Sequence, residues 1–154
     1  PYTTLFRSLA AFAAGEPVLL RNPGAIRPWQ HVLEPLSGYL ILAQKLFEEG
    51  ETWAEGWNFG PAETDARTVA WVVERLAAGW GPEARWTVAA TPQVHEAHTL
   101  KLDCAKAHAR LGWQPRWPAE TAIARSIGWH QAWRQGADMH RYTLDEIAAF
   151  GSTP

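Results

Sequence analysis

The sequence predicts an α/β fold, or α+β if the chain stands alone, built from short strands and helices of medium length. Its 154 residues are enough for one domain with a core, and a content of 47% hydrophobic and 19% charged residues is typical of a globular protein. Short β-prone runs alternate with longer stretches whose apolar residues recur at helical spacing. The sequence contains no internal repeat or long linker, so these elements are expected to form one folded unit.

The first elements are expected to be a helix end and a hairpin. Residues 8–14 have the pattern of the last turns of a helix that stops at Gly15, a residue that tolerates left-handed backbone angles. Residues 18–21 are β-prone, and residues 22–24 (Asn-Pro-Gly) have the composition of a turn. Residues 26–32 are then a second strand, which we expect to pair with the first.

The clearest helix is predicted from Glu34 to Glu49. Glu34 and Pro35 suit its first turn, and Gly50 suits its end. One face carries apolar residues at the i, i+3, i+4, i+7 spacing, namely Leu36, Tyr39, Leu40, Ala43, Leu46 and Phe47. Because Ile41 and Leu42 widen that face, we expect the helix to be well buried.

The rest of the chain alternates in the same way. The predicted elements are strands at 56–60 and 85–89, an extended run at 99–102, and helices at 68–78, 103–111 and 118–135. Thr143 and Glu146 have the spacing of a capping box, which predicts that a last short helix begins there. The ten tryptophans follow no fixed repeat, so we expect most of them in the core or lining a groove.

Charge and composition argue against several function classes. A net charge of -2 gives no bulk electrostatic attraction to nucleic acid or to an anionic membrane. No apolar run approaches the ~18 residues that span a bilayer, and the first residues lack the order of a signal peptide. The single cysteine, Cys104, rules out an internal disulfide framework and is expected to be a packing residue. These observations predict a cytoplasmic protein with no nucleic-acid or membrane partner.

Four motifs occur in the order found in one enzyme family. They are RNPGAIRPWQHVLEP at 21–35, NFGP at 58–61, HEAHTLKLD at 95–103 and LGWQP at 111–115. Together they extend the match over roughly residues 9–150 with plausible spacing. The ordered set resembles the extended short-chain dehydrogenase/reductases, and the first motif is similar to that of the CDP-glucose 4,6-dehydratases within that family.

This resemblance implies the C-terminal, substrate-binding part of an extended short-chain dehydrogenase fold, with the Rossmann half missing. Members of the family are implied to hold NAD and to convert CDP-glucose to CDP-4-keto-6-deoxyglucose and water. They oxidise carbon 4, eliminate water across carbons 5 and 6, and return the hydride to carbon 6. The implied partners are a CDP-sugar, the upstream Rossmann half of the same polypeptide and, for the full-length protein, further copies in a homo-oligomer.

The sequence lacks the catalytic motifs that this chemistry needs. It contains neither Gly-x-x-Gly-x-x-Gly nor Gly-x-Gly-x-x-Gly, the turns that seat a dinucleotide at a helix N-terminus. Its three tyrosines are followed four places later by Phe, Ala and Glu, so it has no Tyr-x-x-x-Lys. We therefore predict no catalytic residue in this chain, no NAD bound by the chain alone, and no turnover.

Arg27 is the first candidate for ligand binding. A guanidinium is always charged and makes bidentate contacts to a diphosphate, and the resemblance implies this contact. The alternative is an exposed arginine on a strand. Side chains alternate along a strand, so Trp29 and His31 are expected on the face of Arg27, with Gln30 on the opposite face.

Two neighbouring segments supply the remaining substrate-binding candidates. Arg21 and Asn22 are candidates to approach the cytosine or the ribose, although Asn22 equally suits a turn. In the closing motif the candidates are His95, Glu96 and His98; related dehydratases tend to have an arginine near His98, whereas histidine is mostly uncharged at neutral pH. Their His-Glu-x-His spacing is one residue short of a His-Glu-x-x-His metal motif, so we predict no metal site.

Residues 1–8 match none of this pattern and are interpreted as a leader, of native or foreign origin. Residues 9–154 are then the substrate-binding domain. The favoured interpretation is a substrate-binding fragment of a CDP-glucose 4,6-dehydratase. Two alternatives stay open: a stand-alone, non-catalytic module that binds nucleotide sugars, and a truncated gene product without function.

Overall fold

The computed structural model describes residues 3–90 and 97–153. Within these ranges the helices are α1 (Thr3–Ala14), α2 (Leu33–Glu49), α3 (Val69–Trp80), α4 (Ala119–Arg134) and α5 (Met139–Gly151). The strands are β1 (Val18–Leu20), β2 (Ile26–Pro28), β3 (Ala66–Thr68) and β4 (Trp86–Val88). The predicted mixture of medium helices and short strands is confirmed.

The hairpin predicted for residues 18–32 is wrong. Instead, β1 pairs in parallel with β4, and β2 pairs antiparallel with β3. Strand β2 ends at Pro28 rather than Val32. The turn between β1 and β2 is present, because the Ala25 N–H donates to the Asn22 carbonyl at 3.2 Å. Both strands nevertheless pair with segments that are distant in the chain, and local patterning cannot reveal such partners.

Helix ends follow the sequence signals closely. Gly15 follows α1 and Gly112 follows the short π-helix Ala107–Leu111, and both glycines adopt positive φ, at 74° and 65°, as predicted. Helix α3 begins after Thr68, whose hydroxyl accepts the Trp71 N–H. Glycine is favoured at the two C-terminal positions because it has no Cβ to strain a left-handed backbone.

Two local predictions are wrong. Residues 56–60 do not form a strand. Helix α5 begins at Met139, because the Asp138 carboxylate accepts the Arg141 N–H and caps the helix there. Thr143 therefore lies inside the helix, and Glu146 is a buried residue rather than part of a capping box.

Helix α1 crosses the boundary that the sequence suggests after residue 8. Ser8 is fully buried, and Leu5 packs against the main core. These residues are thus part of the folded unit in this chain, while the domain boundary itself stays a prediction.

Two apolar clusters support the fold. The main cluster joins α1, β1, α3 and α4, and includes Leu9, Phe12, Leu20, Val72, Val73, Leu76, Ile123 and Ile127. The smaller cluster contains Phe59, Cys104, Ala107 and Trp113. Cys104 is buried there as the predicted packing residue, and burial raises the pKa of its thiol.

Helix α2 is not buried as predicted. Leu40 is 72% exposed and Phe47 is 92% exposed, and further apolar side chains of the same helix are exposed beside them. Only Glu34 and Gly38 of this helix are buried. Gly38 allows the Phe59 ring to approach closely, because a Cβ at this position would lie 2.3 Å from that ring. The inner side of α2 therefore carries Glu34, Gly38 and the half-buried Ile41 and Leu42, which pack against the smaller cluster, whereas Leu40 and Phe47 face outward.

One buried carboxylate ties the start of α2 to the segment that precedes α4. Glu34 is fully buried, and its carboxylate accepts the backbone N–H groups of Arg116, at 3.1 Å, and Trp117, at 2.6 Å. Hydrogen bonds to a charged acceptor are stronger than those between neutral groups. Burial raises the pKa of Glu34, although the Trp117 and Arg116 N–H groups oppose this shift.

Replacing Glu34 with alanine is expected to lower the free energy of unfolding by about 2 to 5 kcal/mol, because it leaves the buried Trp117 N–H and the partly buried Arg116 N–H unpaired and opens a void. Urea unfolding followed by circular dichroism measures this loss. Glu120→Ala is the matched control, since the Glu120 side chain is 70% exposed, and it should change stability by less than about 0.5 kcal/mol. Equal losses in the two variants would contradict the role of Glu34.

Glu34 also makes the free energy of unfolding depend on pH, and the direction of its pKa shift sets the sign of this dependence. Its folded-state pKa is raised above the ordinary value of 4.5, so the native state binds more protons than the unfolded chain. Glu34 therefore makes its full contribution to the free energy of unfolding below pH 4.5. That contribution is lost as the pH rises through the folded-state pKa.

Candidate functional site

A groove with a volume of about 420 Å³ lies beside the segment that follows β2. One wall is formed by residues 27–32, and the facing residues are Leu5 and Phe6 of α1, Ser126 of α4, and Pro35, Leu100 and Leu102. Pro28 has no N–H with which to extend a β-ladder, so the chain leaves the sheet there. The next four residues are consequently irregular and are free to place consecutive side chains along one groove.

The side chains of the segment that follows β2 divide between the groove and the interior of the protein. Arg27, Trp29, Gln30 and His31 all line the groove. The amide of Gln30 is directed into the protein, since its Nε2 donates to the Phe59 carbonyl at 2.9 Å and its Oε1 is buried. Alternation applies to a pleated strand, and the strand has already ended at these residues.

Arg27 is a buried wall residue of the groove. Its side chain is only 5% exposed, so the alternative of an exposed arginine on a strand is wrong. One Nη1 hydrogen bond to the Ile26 carbonyl, at 2.8 Å, helps to fix the orientation of the guanidinium. A fixed, permanently charged group at the wall of a groove suits recognition of an anion.

Trp29 has a structural role as well as a place at the groove. The residue is buried in the main core, and its Nε1 group donates to the Arg67 carbonyl at 2.9 Å. The hydrogen bond fixes the indole across β3, so Trp29 offers a rigid surface to the groove.

His31 separates the groove from a second cavity of about 240 Å³. Its Nδ1 atom accepts the Leu33 N–H at 3.3 Å, so the neutral ring carries its proton on Nε2. The ring also packs edge-on against Trp117, with 5.0 Å between centroids. Burial lowers the pKa of His31; the charge of Glu146 opposes this shift, and that of Arg125 adds to it. His31 is therefore mainly neutral at pH 7.

The predicted site residues Arg21, Asn22 and His98 do not line this groove. Arg21 is exposed and Asn22 is half-buried, both before the start of β2. The His98 carbonyl accepts the Ile26 N–H at 2.8 Å, and its exposed ring lies beside Gly24. His95 and Glu96 lie outside the described residues. Arg21, Asn22 and His98 thus form a separate set at the opposite end of β2.

Sequence reasoning missed several residues of the site. Leu5 and Phe6 lie in the segment that was interpreted as a leader, and Glu146 was interpreted as a capping residue. Glu146 is in fact buried and bonded to Arg125 of α4 at 2.8 Å. No local signal identifies this pair, because the two residues meet only when α4 and α5 pack together.

Within residues 3–90 and 97–153, no group of three or more His, Cys, Asp or Glu residues is arranged to hold a metal ion. The prediction for His95, Glu96 and His98 stays a prediction, since two of these residues lie outside that range. No helix in the described part of the chain combines the length and the apolar character needed to cross a membrane.

Two substitutions near His31 are expected to shift the pKa of its imidazole in opposite directions. Glu146→Gln removes the charge that raises the pKa and should lower it further, whereas Arg125→Gln should raise it. NMR titration of the imidazole measures both shifts. A wild-type pKa at or above the ordinary 6.5, or reversed shifts in the variants, would contradict this environment. Because the folded-state pKa is lowered, stability is expected to fall as the pH drops through 6.5 towards that pKa.

The chain is similar in sequence and in fold to enzymes that act on sugar nucleotides. No protein-family model matches the chain. The chain is 48% identical over 144 residues to the CDP-glucose 4,6-dehydratase of Salmonella typhimurium, an alignment that covers 94% of this chain and 40% of that enzyme.

Two solved structures have a similar fold. The dTDP-glucose 4,6-dehydratase of Bacillus anthracis, solved in complex with NAD, matches with a TM-score of 0.64 and 18% identity, over 85% of this chain and 39% of that one. The UDP-N-acetylglucosamine 4-epimerase of Bacillus cereus matches with a TM-score of 0.58 and 21% identity, over 83% of this chain and 42% of that one. At these identities the two structures show the fold alone.

The chain spans less than half the length of each of these relatives. The sequence relationship confirms the resemblance that the four motifs predicted, and the structural matches confirm the fold class. The chain is therefore a relative of CDP-glucose 4,6-dehydratase, and its fold is that of the corresponding part of sugar-nucleotide dehydratases and epimerases.

Proposed function

We propose that this chain is the substrate-binding part of a CDP-glucose 4,6-dehydratase and that the groove beside Arg27 receives the CDP moiety. The observation that carries the proposal is the buried guanidinium of Arg27 at the wall of a largely apolar groove. A diphosphate is the complementary charge, and flat apolar walls suit a base or a ribose. The 48% identity to the Salmonella enzyme supports the choice of CDP-glucose.

The other predicted contacts belong to the same proposal. Arg21 and Asn22 are proposed to approach the cytosine or the ribose, and His98 to lie near a phosphate. The segment with His95 and Glu96 is proposed to complete this end of the site. The whole enzyme would convert CDP-glucose to CDP-4-keto-6-deoxyglucose and water, with NAD supplying the hydride chemistry when bound.

The described residues do not fit NAD. A dinucleotide site needs a glycine-rich turn that leads into a helix N-terminus. Helices α2 to α5 begin instead after Val32, Thr68, Pro118 and Asp138. No step through NAD is therefore assigned to this chain, and we propose that an upstream Rossmann half of the same polypeptide holds the cofactor.

The proposed contact surface for that half is the outer face of α2. Leu40 and Phe47 are the most exposed members of this apolar face. Exposed apolar surface that is continuous along a helix is typical of an interaction site. A homo-oligomer of the whole enzyme belongs to the same proposal.

Calorimetric titration of the purified chain with CDP tests the role of Arg27. Arg27→Gln is expected to weaken CDP binding by about 10- to 100-fold, the usual size of a charge-assisted contact. Arg85→Gln is the matched control, because Arg85 is exposed and does not line the groove. No binding of CDP to the wild-type chain, or equal affinities in the two variants, would contradict the proposal. Thermal melting of each variant checks that it is folded.

The isolated chain is expected to show no turnover of CDP-glucose in the presence of NAD, because it contains neither a dinucleotide turn nor a Tyr-x-x-x-Lys. Chromatographic loss of CDP-glucose is the measurement, and the Salmonella enzyme is the positive control. Formation of the 4-keto product by the chain alone would show that it contains catalytic residues that the motifs do not reveal.

A further inference from the structure

The imidazole of His31 makes a hydrogen bond that only its neutral form can make. Its Nδ1 atom accepts the N–H of Leu33, the first residue of α2, at 3.3 Å. A ring nitrogen accepts a hydrogen bond only when it carries no proton, and both nitrogens of the charged imidazolium are donors. Protonation of His31 would therefore set two N–H groups against each other, and the ring has to leave the start of α2.

The surroundings of His31 also disfavour the charged ring at that position. The first N–H groups of a helix carry partial positive charge, so the start of α2 repels an imidazolium. Burial lowers the pKa of His31, and the charge of Arg125 acts in the same direction, whereas that of Glu146 opposes both. A protonated ring is thus driven away from Leu33 and attracted towards Glu146.

Glu146 offers an unused acceptor at the same cavity as His31. The two residues both line the 240 Å³ cavity, and Glu146 is only 7% exposed. Its Oε1 atom accepts from Arg125 at 2.8 Å, whereas Oε2 is buried and has no hydrogen-bond partner among the residues that the structure describes. A buried carboxylate oxygen without a donor costs free energy, and a charged donor would make a strong hydrogen bond with it.

Six charged or titratable residues surround His31, from β2, α2, α4 and α5. They are Arg27, Glu34, Arg125, His130, Tyr142 and Glu146. The carboxylate of Glu34 is occupied by the Arg116 and Trp117 N–H groups. Tyr142 keeps its proton at neutral and acid pH, because burial raises the pKa of its hydroxyl.

His130 lines the same cavity but does not supply the missing donor in its neutral form. Its Nδ1 atom lies 3.0 Å from the Ser126 carbonyl, which can only accept, so the proton of the neutral ring is on Nδ1. The Nε2 atom of His130 is then an acceptor and cannot donate to Glu146. The acceptor on Glu146 is therefore available to His31.

We propose that His31 is a pH-dependent switch between the start of α2 and Glu146. The neutral ring accepts the Leu33 N–H, and the protonated ring releases that group and donates to Glu146 Oε2. The proton comes from water and stays on the imidazole, so no covalent bond between heavy atoms changes. Because His31 belongs to the walls of both the cavity and the Arg27 groove, its movement reshapes the boundary between them. The switch does not depend on what the groove binds.

NMR of the purified chain from about pH 8 to about pH 5, where histidine titrates, tests the switch. The His31 ring and the Leu33 amide are expected to change with the same midpoint. The hydrogen-exchange protection factor of Leu33 should fall by about 3- to 10-fold, the size of one hydrogen bond between neutral groups. Nuclear Overhauser contacts between the ring and the Glu146 side chain should strengthen below the midpoint.

Two variants separate the two positions of the ring. His31→Asn keeps a side-chain oxygen that can accept the Leu33 N–H but does not titrate, so the transition at Leu33 should disappear; a change that persists comes from the neighbouring Glu34. Glu146→Gln keeps an amide oxygen for Arg125 and turns an NH2 group to the cavity. The His31 titration should then move to lower pH, and the contacts between the ring and residue 146 should not strengthen.

Two further variants serve as controls. Glu120→Gln removes an exposed carboxylate and should keep the whole transition. His130→Gln should also keep it, because the switch assigns the donor to His31.

Several results would overturn the switch. These are a Leu33 amide that does not follow the ring, a protonated ring that does not approach Glu146, and the loss of the native spectrum before His31 titrates. A transition that Glu146→Gln leaves unchanged, or that His130→Gln abolishes, would do the same. If Glu146→Gln does not fold, the contacts in the wild-type chain and the response of His31→Asn still decide.

Discussion

The geometry of the candidate site depends on the buried carboxylate of Glu34. By accepting the N–H groups of Arg116 and Trp117, it holds the segment before α4 against the first turn of α2. A second hydrogen bond, which Trp113 Nε1 donates to the Ser37 hydroxyl at 2.9 Å, joins the same segment to α2 about one helical turn further along. The two contacts place the Trp117 ring against His31 and set where α4 starts. These polar contacts act together with the main apolar cluster, which holds Trp29 and Leu5 at the walls of the groove.

The same contacts explain why α2 exposes its large apolar side chains. Its inner side carries an acid, a serine and Gly38, so that the chain segments around Trp113 and Phe59 can approach closely. Residues at helical spacing on the other side then point to solvent, and Phe47 is the extreme case. The apolar periodicity that predicts burial is real, but its most exposed members, Leu40 and Phe47, lie outside the core of this unit.

Sequence reasoning succeeded where a signal is local and failed where it depends on packing. Helix ends at Gly15 and Gly112 follow from backbone conformation, which the residue type determines directly. Strand pairing failed because β1 and β2 find partners far along the chain, and Pro28 ends the alternation before His31 is reached. For the site, Arg27 and His31 were predicted from one motif. Glu146 could not be, since its burial follows from the contact of α5 with α4.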